Sequence, residues 1–507
     1  PRQRTFAALA IRNYRLFWLG QVVSVTGTFM QGTAQQWLVL TLSRDPLALG
    51  ITGALQFGPL LLLGPFIGAI VDRFPRRNLL VLTQTCAAIL AATLWILAAT
   101  HVVQLWHVYL LALLLGLVNA LDMPARQAFV SEMVPTSHLL NAVSLNSVSF
   151  NVARILGPAV AGGLIALLGV PMLFLLNALS YIAVIIGLLL MHASDLYIVP
   201  RKVIGHGAAA QLRVVGDGVR FIWKTPAVRV TFLLIAVVGT LGFNFNVSLP
   251  LEAKGVLHAG PEVFGLLSSA LGVGALIGAL ALARRGGAPT NRLLIWTTIV
   301  FGALEAGIGL TRSLPLILLL IAATGTAMSM FSAAVNTRTQ LSTPPEMRGR
   351  VMSVYSMIFM GSTPIGNLIV SSAASAWSVP VSFLLMGVPC MLAAGGAAWL
   401  WRQVDKAQPQ PAPADGSTIN AINAINAKGA VSTAAPASVV AASLGGPSAA
   451  LMDDAPQQGP VQPEPRRAGD FVGAAGMSAG MSAGMSGSHP RPAPGQLAIQ
   501  SRAANRR

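Results

Sequence analysis

Twelve apolar runs of about 20 residues set the first constraint on this chain. A helix rises about 1.5 Å per residue, so about 20 apolar residues cross the roughly 30 Å hydrocarbon layer of a bilayer. The runs cover 17–42, 48–71, 78–100, 106–125, 141–168, 171–191, 228–250, 264–283, 293–310, 315–335, 350–372 and 380–401. The pattern predicts an all-α polytopic membrane protein with twelve transmembrane helices.

The composition agrees with a chain that lives in lipid. Of its 507 residues, 54% are hydrophobic and 10% are charged, whereas soluble domains carry roughly 25% charged residues. The net charge of +17 lies mostly in short loops and forms no basic stripe of the kind that nucleic acid requires. We therefore expect the lipid bilayer as a partner, and no nucleic acid.

Lys and Arg lie almost entirely on one side of the predicted membrane. With the N-terminus inside, the cytoplasmic segments up to Lys406 hold 22 of them and the opposite side holds three: Arg44, Lys254 and Arg312. The positive-inside rule then predicts a protein of the bacterial inner (plasma) membrane with both termini in the cytoplasm. The basic N-terminus is similar to a signal sequence, but no cleavage site follows the apolar run, so a retained first helix is expected.

Six spans, a polar loop and six more spans predict two halves. The predicted boundaries are an N-terminal six-helix bundle at 1–192, a cytoplasmic central loop at 193–225, a C-terminal six-helix bundle at 226–406 and a disordered cytoplasmic tail at 407–507. The tail is rich in Pro, Ala, Gly and Ser and holds too few large apolar residues to fold. Two halves with a site near the midplane between them are a recurrent transporter plan.

The sequence carries no signature of catalysis or of nucleotide use. It has no phosphate-binding G-K-[ST] loop and no metal-ligand spacing, and Cys86 and Cys390 each lie inside an apolar run. We therefore expect no enzyme activity, no cofactor, no metal and no use of ATP. Uphill transport would then draw on an ion gradient, most simply of protons, and a monomer would suffice.

The loop after the second span carries a recognisable motif. Residues 68–80 place glycine, acid and arginines in a fixed order at Gly68, Asp72, Arg73, Arg76 and Arg77. This resembles the G-x-x-x-D-R-x-G-R-R-x-x-L signature of the major facilitator superfamily, with Pro75 in place of glycine. The resemblance implies the major facilitator fold of two six-helix bundles.

Asp72 is the residue of this motif that topology alone does not require. A carboxylate at the membrane face is able to cap a helix N-terminus, where the dipole favours an anion. The resemblance implies that the facing helix is the eleventh, which begins near Arg348 and Arg350, and that the contact gates the transporter. The alternative for the arginines is positive-inside anchoring, and in the second half Leu282 stands where the acid would be.

Three further segments are similar to one branch of that superfamily. Residues 119–135, 140–158 and 348–353 resemble the branch of the enterobactin exporter and related multidrug effluxers. Gly157-Pro158 with Gly162-Gly163 is similar to the fifth-helix motif of antiporters, although three residues separate the pairs where two are usual. The resemblance implies a proton-coupled exporter of amphipathic molecules such as siderophores, drugs or other metabolites. An importer or facilitator on the same fold, or a non-transporting membrane sensor, are the alternatives.

Ionisable residues inside predicted spans are candidate functional residues, because charge in hydrocarbon is costly. Asp122 and Arg126 lie four residues apart on one face of the fourth span, either as an interfacial ion pair or with Asp122 as the proton carrier. Arg154 in the fifth span would either meet an anion or lock the helices through backbone carbonyls. Glu305 in the ninth span is interpreted as a packing group.

Neutral polar and aromatic residues in the spans are candidate lining for a substrate cavity, with polar contacts between helices as the alternative. The predicted cavity residues are Gln31, Gln35, Asn119, Asn146, Phe243, Asn244, Asn246 and Asn336. Hydrogen-bonding groups of this kind suit a bulky amphipathic molecule better than a small ion.

Overall fold

A computed structural model describes residues 6–71, 73–197 and 208–407. Asp72 and almost all of the predicted tail lie outside the described residues. Because a bilayer core offers backbone groups no hydrogen-bond partners, a spanning segment must satisfy them within a helix. The first half accordingly consists of α1 (Arg12–Leu42), α2 (Leu47–Val71), α3 (Arg76–Ala99), α4 (Leu105–Met133), α5 (Thr136–Leu168) and α6 (Val170–Leu189), preceded by a short 3-10 helix (Ala7–Ala10).

The second half is preceded by α7 (Ala208–Lys224), a helix that the sequence did not predict. The second half itself consists of α8 (Pro226–Val237), α9 (Phe245–Leu251), α10 (Pro261–Arg285), α11 (Asn291–Gly309), α12 (Leu314–Leu341), α13 (Pro345–Gly361), α14 (Thr363–Ala376) and α15 (Val379–Ala407). The fold prediction of a twelve-helix membrane protein is confirmed. Among the described residues, eleven segments are long and apolar enough to cross a membrane. The twelfth is α1, whose 31 residues suffice in length but include the buried polar residues Gln21, Gln31, Thr33 and Gln35.

The stretch between the halves contains α7, where the sequence predicted only a polar loop. Its residues alternate with helical periodicity: Ile222 and Gly218 are buried, whereas Arg213 and Arg220 are exposed. Gly218 packs against α13, because a Cβ there would lie 2.6 Å from the Arg350 carbonyl oxygen. The helix forms because this packing buries one face of a clearly amphipathic sequence, a pattern that a search for long apolar spans passes over.

Two of the predicted spans are interrupted in the structure. In the seventh span, α8 and α9 are joined by a π-helical turn (Val238–Gly242), and a second π-helical turn (Glu252–Val256) follows α9. In the eleventh span, α13 and α14 meet at Ser362, just before Pro364. Such interruptions in membrane helices are frequently found at functional sites.

The halves meet through glycines on α5 and α10. A Cβ at Gly162 would lie 2.7 Å from the Pro261 carbonyl oxygen, and one at Gly265 would lie 2.5 Å from the Pro158 carbonyl oxygen. The Ser269 hydroxyl adds a hydrogen bond of 2.8 Å to the carbonyl oxygen of Ile155. Small residues allow two backbones in lipid to approach closely enough for dispersion contacts to hold them together.

A second set of contacts lies at the same level of the membrane. Lys254, in the π-helical turn after α9, donates to the Leu40 carbonyl oxygen at the end of α1 and lies 5.8 Å from the centre of the Trp37 ring. Trp37 in turn stacks on Phe264 of α10, with ring centroids 6.3 Å apart. These contacts and the glycine contacts all lie away from the face on which α1 begins, which we call the N-terminal face.

Adjacent glycines on α5 offer a matched test of this packing. A Cβ at Gly162 would meet α10 backbone, whereas a Cβ at Gly163 would have no atom within 4 Å. We expect Gly162→Ala to lower stability by about 1–3 kcal/mol, the usual cost of overpacking, and Gly163→Ala to be neutral. Thermal unfolding of the purified protein in detergent checks this. Equal melting temperatures for the two variants would contradict the contact.

Candidate functional site

Asp122 lies at the centre of a hydrogen-bond network between α3 and α4. Its Oδ1 accepts hydrogen bonds from the Thr83 hydroxyl at 2.7 Å and from the Gln84 amide at 2.8 Å. Its Oδ2 accepts from both Nε and Nη2 of Arg126, one helical turn away. The side chains of Asp122 and Arg126 are only 10% and 15% exposed, so the pair is largely withdrawn from solvent. Four donors therefore satisfy both oxygens of the carboxylate in this state.

Arg154 faces the interior of the molecule from the middle of α5. Four exposed apolar residues of α5 form a stripe along one side of the helix: Val148, Val152, Leu156 and Val160. At about 100° per residue, Arg154 lies on the opposite side of the helix from the middle of that stripe. Its side chain is partly exposed and forms no hydrogen bond or ion pair with any described residue. A stripe facing lipid and a cation facing away from it are the expected arrangement for a helix that borders a water-filled cavity.

Asn119 on α4 shows the same relation to an exposed stripe. Leu110, Leu114 and Leu117 are exposed on one side of α4, and Asn119 lies roughly opposite them, yet it is exposed as well. A polar residue that is exposed on the side away from lipid indicates an aqueous space between the helices. Asn146 on α5 and Asn336 on α12 are partly exposed, and the Asn336 Oδ1 accepts a hydrogen bond of 2.7 Å from Gln340.

The two predicted glutamines of α1 lie inside the first half. Gln31 and Gln35 are 5% and 4% exposed. The Gln31 Oε1 accepts a hydrogen bond of 2.6 Å from Asn177 of α6. Gln31 therefore joins two helices of one bundle in this state, the alternative that its sequence setting left open.

The predicted residues of the seventh span surround its interruption. Phe243 packs edge-on against Phe301, Phe331 and Phe359 at 5.5–6.4 Å between ring centroids. Asn244 is completely buried; its amide nitrogen donates to the carbonyl oxygens of Thr240 and Leu241, which stabilises the broken turn. Asn246 is partly exposed, and its amide faces Gly53 of α2.

The fifth-helix motif lies where α5 touches both α1 and α10. Gly157 and Pro158 are buried, and a Cβ at Gly157 would lie 2.6 Å from the Phe29 Cβ. The Pro158 carbonyl oxygen lies against Gly265 of the other half. The motif therefore belongs to the contact between the halves.

The arginines of the predicted gate have partners near the N-terminal face. Arg76 forms an ion pair of 2.7 Å with Glu132 at the end of α4. Arg77 donates to the carbonyl oxygens of Leu188 and Leu189 at the end of α6, whereas Arg73 is exposed. Asp72 itself lies outside the described residues, and Gly68 lies in the last turns of α2.

The facing end of α13 is bound to α7. Arg350 forms an ion pair of 3.0 Å with Asp217, and Arg348 is partly buried with an Nε that has no hydrogen-bond partner among the described residues. The helix end that the sequence predicts as the partner of Asp72 thus contacts the helix between the halves in this state.

Sequence reasoning missed several partners and one buried acid. Glu132, Asn177, Thr83 and Gln84 became visible only through their contacts, because each partner lies between 38 and 146 residues away in the chain. The missed acid is Glu252, which lies two residues beyond the predicted seventh span. It is 1% exposed, and neither of its carboxylate oxygens has a hydrogen-bond partner among the described residues. The same holds for Glu305, which the sequence predicted as a packing group and which is completely buried.

Comparison with known proteins gives consistent matches over the helical region. The family model described as "Transmembrane secretion effector" matches residues 3–423. The chain is 25% identical to the staphyloferrin A transporter of Staphylococcus aureus over 73% of this chain and 89% of that protein. It is 28% identical to the multidrug efflux pump Tap of Mycolicibacterium fortuitum, over 72% and 90%, and 24% identical to the macrolide efflux protein A of Streptococcus pyogenes, over 73% and 91%.

Solved structures match the fold at low sequence identity. A bacterial homologue of the human lysosomal transporter Spinster, in an inward-facing conformation, superposes with a TM-score of 0.61 at 14% identity, covering 79% of this chain and 99% of that one. The nucleoside transporter NupG superposes with a TM-score of 0.60 at 13% identity, over 77% and 99%.

The Asp122–Arg126 pair makes a stability prediction. Removing one partner of a buried pair leaves the other charge uncompensated, at a cost of about 3–5 kcal/mol. We expect Asp122→Asn to cost somewhat less, because Asn still accepts one hydrogen bond, and Arg126→Gln added to it to restore most of the loss. Thermal unfolding of the single and double variants measures this coupling.

The exposed pair Asp217–Arg350 supplies the control. Both of its side chains are more than 40% exposed, so Asp217→Asn should cost less than about 1 kcal/mol. Additive losses in the Asp122 and Arg126 variants, with no restoration in the double variant, would contradict the coupling.

Proposed function

Because the chain belongs to the transmembrane secretion effector family of the major facilitator superfamily, we propose that it is a proton-coupled exporter of amphipathic small molecules. The protein is a multi-pass membrane transporter, and transporters of this family are not enzymes. Direction, coupling ion and substrate are the proposed parts. The relatives named for siderophore transport and for drug efflux support an exporter of molecules with both polar and apolar groups.

One observation carries the proposal: charged and polar residues face away from lipid between two halves that touch at the other side. Arg154 and Asn119 lie opposite the exposed apolar stripes of α5 and α4, and the glycine and Lys254 contacts join the halves away from the N-terminal face. A cavity open to one side and closed on the other is what alternating access requires.

Orientation follows from the distribution of positive charge. Lys and Arg concentrate on the N-terminal face, so we place that face, with both termini, in the cytoplasm. In this orientation the present state is open to the cytoplasm and closed to the outside. A substrate entering from the cytoplasm would then be released outward after the contacts between α5 and α10 and between α2 and α14 open and the halves close at the cytoplasmic face.

Asp122 is the proposed proton carrier. In this state both of its carboxylate oxygens accept hydrogen bonds, so a proton that binds there has to displace Arg126 or another donor. Rearrangement of α4 in the outward-open state would separate the two side chains and raise the affinity of the carboxylate for a proton. Competition between the proton and Arg126 thereby couples protonation to conformation.

An importer or facilitator is the second candidate on the same fold, because direction is set by gradients and not by topology. A non-transporting sensor is the third. Arg154 lies at membrane depth and pairs with no described residue, which argues against the sensor. A charge that has no partner in the membrane is costly, and a protein retains it only for a function.

Transport by reconstituted protein tests the proposal. In proteoliposomes, an imposed pH gradient should drive uphill movement of a siderophore such as staphyloferrin A, and ATP should have no effect. Asp122→Asn should abolish uphill movement and spare exchange, whereas Glu305→Gln, which changes a buried acid in α11, should retain at least about half of it. Full uphill transport by Asp122→Asn would remove Asp122 from the mechanism, and transport that ignores the pH gradient would exclude proton coupling.

The gate makes a separate prediction, on a residue outside the described part of the chain. If Asp72 caps the start of α13 when the cytoplasmic side is closed, its loss removes up to about 2 kcal/mol from that state alone. Asp72→Asn should then enrich the inward-open state by up to roughly thirtyfold and slow turnover, with little change in substrate affinity.

The measurement is cysteine accessibility from each side of the membrane, in a background that lacks Cys86 and Cys390. Leu282→Asn, at the corresponding position of the second half, is the matched control and should have little effect. Unchanged accessibility and turnover in Asp72→Asn would reduce the motif to a topological anchor.

A further inference from the structure

Three cations of the described residues lie at membrane depth, and two of them are already bound. Arg126 forms two hydrogen bonds with Asp122, and the Lys254 ammonium donates to the Leu40 carbonyl oxygen. Arg154 is the third, and it has no hydrogen-bond or ion-pair partner among the described residues. Five guanidinium N–H donors in a low-dielectric setting are costly to leave without an acceptor.

No carboxylate of the described spans is placed to neutralise Arg154. Asp122 is held by four donors, and its charge is already balanced by Arg126. Glu252 and Glu305 are 1% and 0% exposed, so neither carboxyl group reaches a water-filled space. The formal charge that faces the cavity is therefore positive.

An apolar surface lies one helical turn from this charge. Phe150 precedes Arg154 by four residues, so the two share one side of α5, and Phe150 is 38% exposed. Phe29 of α1 packs edge-on against Phe150 with ring centroids 5.3 Å apart. The pair therefore offers an aromatic surface within one helical turn of Arg154, on the same side of α5.

We propose that Arg154 binds an anionic group of the substrate, and that the transported molecules are amphipathic carboxylates whose apolar part lies on Phe150 and Phe29. Arginine meets a carboxylate through two parallel charge-assisted hydrogen bonds, the strongest polar contact that a side chain offers. Cations that lack a carboxylate would instead meet a repulsive charge. This inference rests on the proposed transport function and deepens it by naming the substrate class.

A pair of dyes that differ by one carboxylate tests the proposal. Rhodamine B carries a free carboxylate, and rhodamine B ethyl ester has the same ring system with that group masked. Binding of each dye to the purified full-length protein is measured by fluorescence anisotropy in detergent, at neutral pH and without any gradient. The wild-type protein should bind rhodamine B about tenfold to hundredfold more tightly than the ester.

Variants assign the preference to the side chain. Arg154→Gln should bring the ratio of the two dissociation constants close to one, and Arg154→Lys should retain part of the preference. Arg312→Gln, which removes one positive charge from an exposed loop, should leave the ratio unchanged. A purely structural role of Arg154 would weaken the binding of both dyes together and would leave the ratio intact in Arg154→Gln.

Three results would overturn the proposal: a wild-type ratio of one or below, a ratio that survives in Arg154→Gln, and no saturable binding of either dye. The experiment is independent of direction and energy coupling, since it uses no gradient. Uphill export without a carboxylate preference would therefore refute the anion site alone. A carboxylate preference without uphill transport would refute the proposed coupling and leave the site standing.

Discussion

The hydrocarbon core of the bilayer offers no hydrogen-bond partner, and the rest of the structure follows from this constraint. Backbone groups satisfy it inside helices, and polar side chains satisfy it by finding one another. Asp122 collects four donors and Gln31 finds Asn177. In the interrupted seventh span, Asn244 bonds to the carbonyl oxygens of the preceding turn. Arg154 has no hydrogen-bond partner among the described residues. It therefore marks a place where water or a ligand supplies the acceptor.

The same constraint explains how two bundles are held together and are still free to move. Lipid is as apolar as leucine, so the hydrophobic effect does not drive helices together, and close backbone contact has to do so. Glycines at 162 and 265 provide it between α5 and α10, and glycines at 50 and 53 provide it between α2 and α14. Because these contacts lie on one side of the membrane, the halves are able to separate on the other side, where polar residues of α4 and α5 are exposed.

The sequence predicted what depends on local composition and failed on what depends on distant pairing. Twelve spans followed from apolar length, and the candidate charges Asp122, Arg126 and Arg154 followed from their position inside those spans. The partners did not: Arg76 pairs with Glu132, and Arg350 with Asp217, across 56 and 133 residues of chain. Helix α7 was missed because its stability comes from docking on α13. The π-helical turns around α9 were missed because they do not alter the hydropathy of the apolar run that contains them. Of the predicted cavity residues, Gln31 contacts another helix of its own bundle. Hydropathy does not distinguish a residue that lines a cavity from one that contacts a neighbouring helix.

Alternate opening of the two faces between the halves is the central claim, and spin-label distances test it most directly. One pair of labels at positions 140 and 341 spans the N-terminal face between the halves, and a second pair at 102 and 310 spans the opposite face; all four residues are exposed. Double electron–electron resonance in proteoliposomes, with Cys86 and Cys390 replaced, follows both distances as the pH and the substrate concentration are changed. The account predicts two populations in which the first distance shortens as the second lengthens. Two distances that stay fixed, or that change in the same direction, would contradict it.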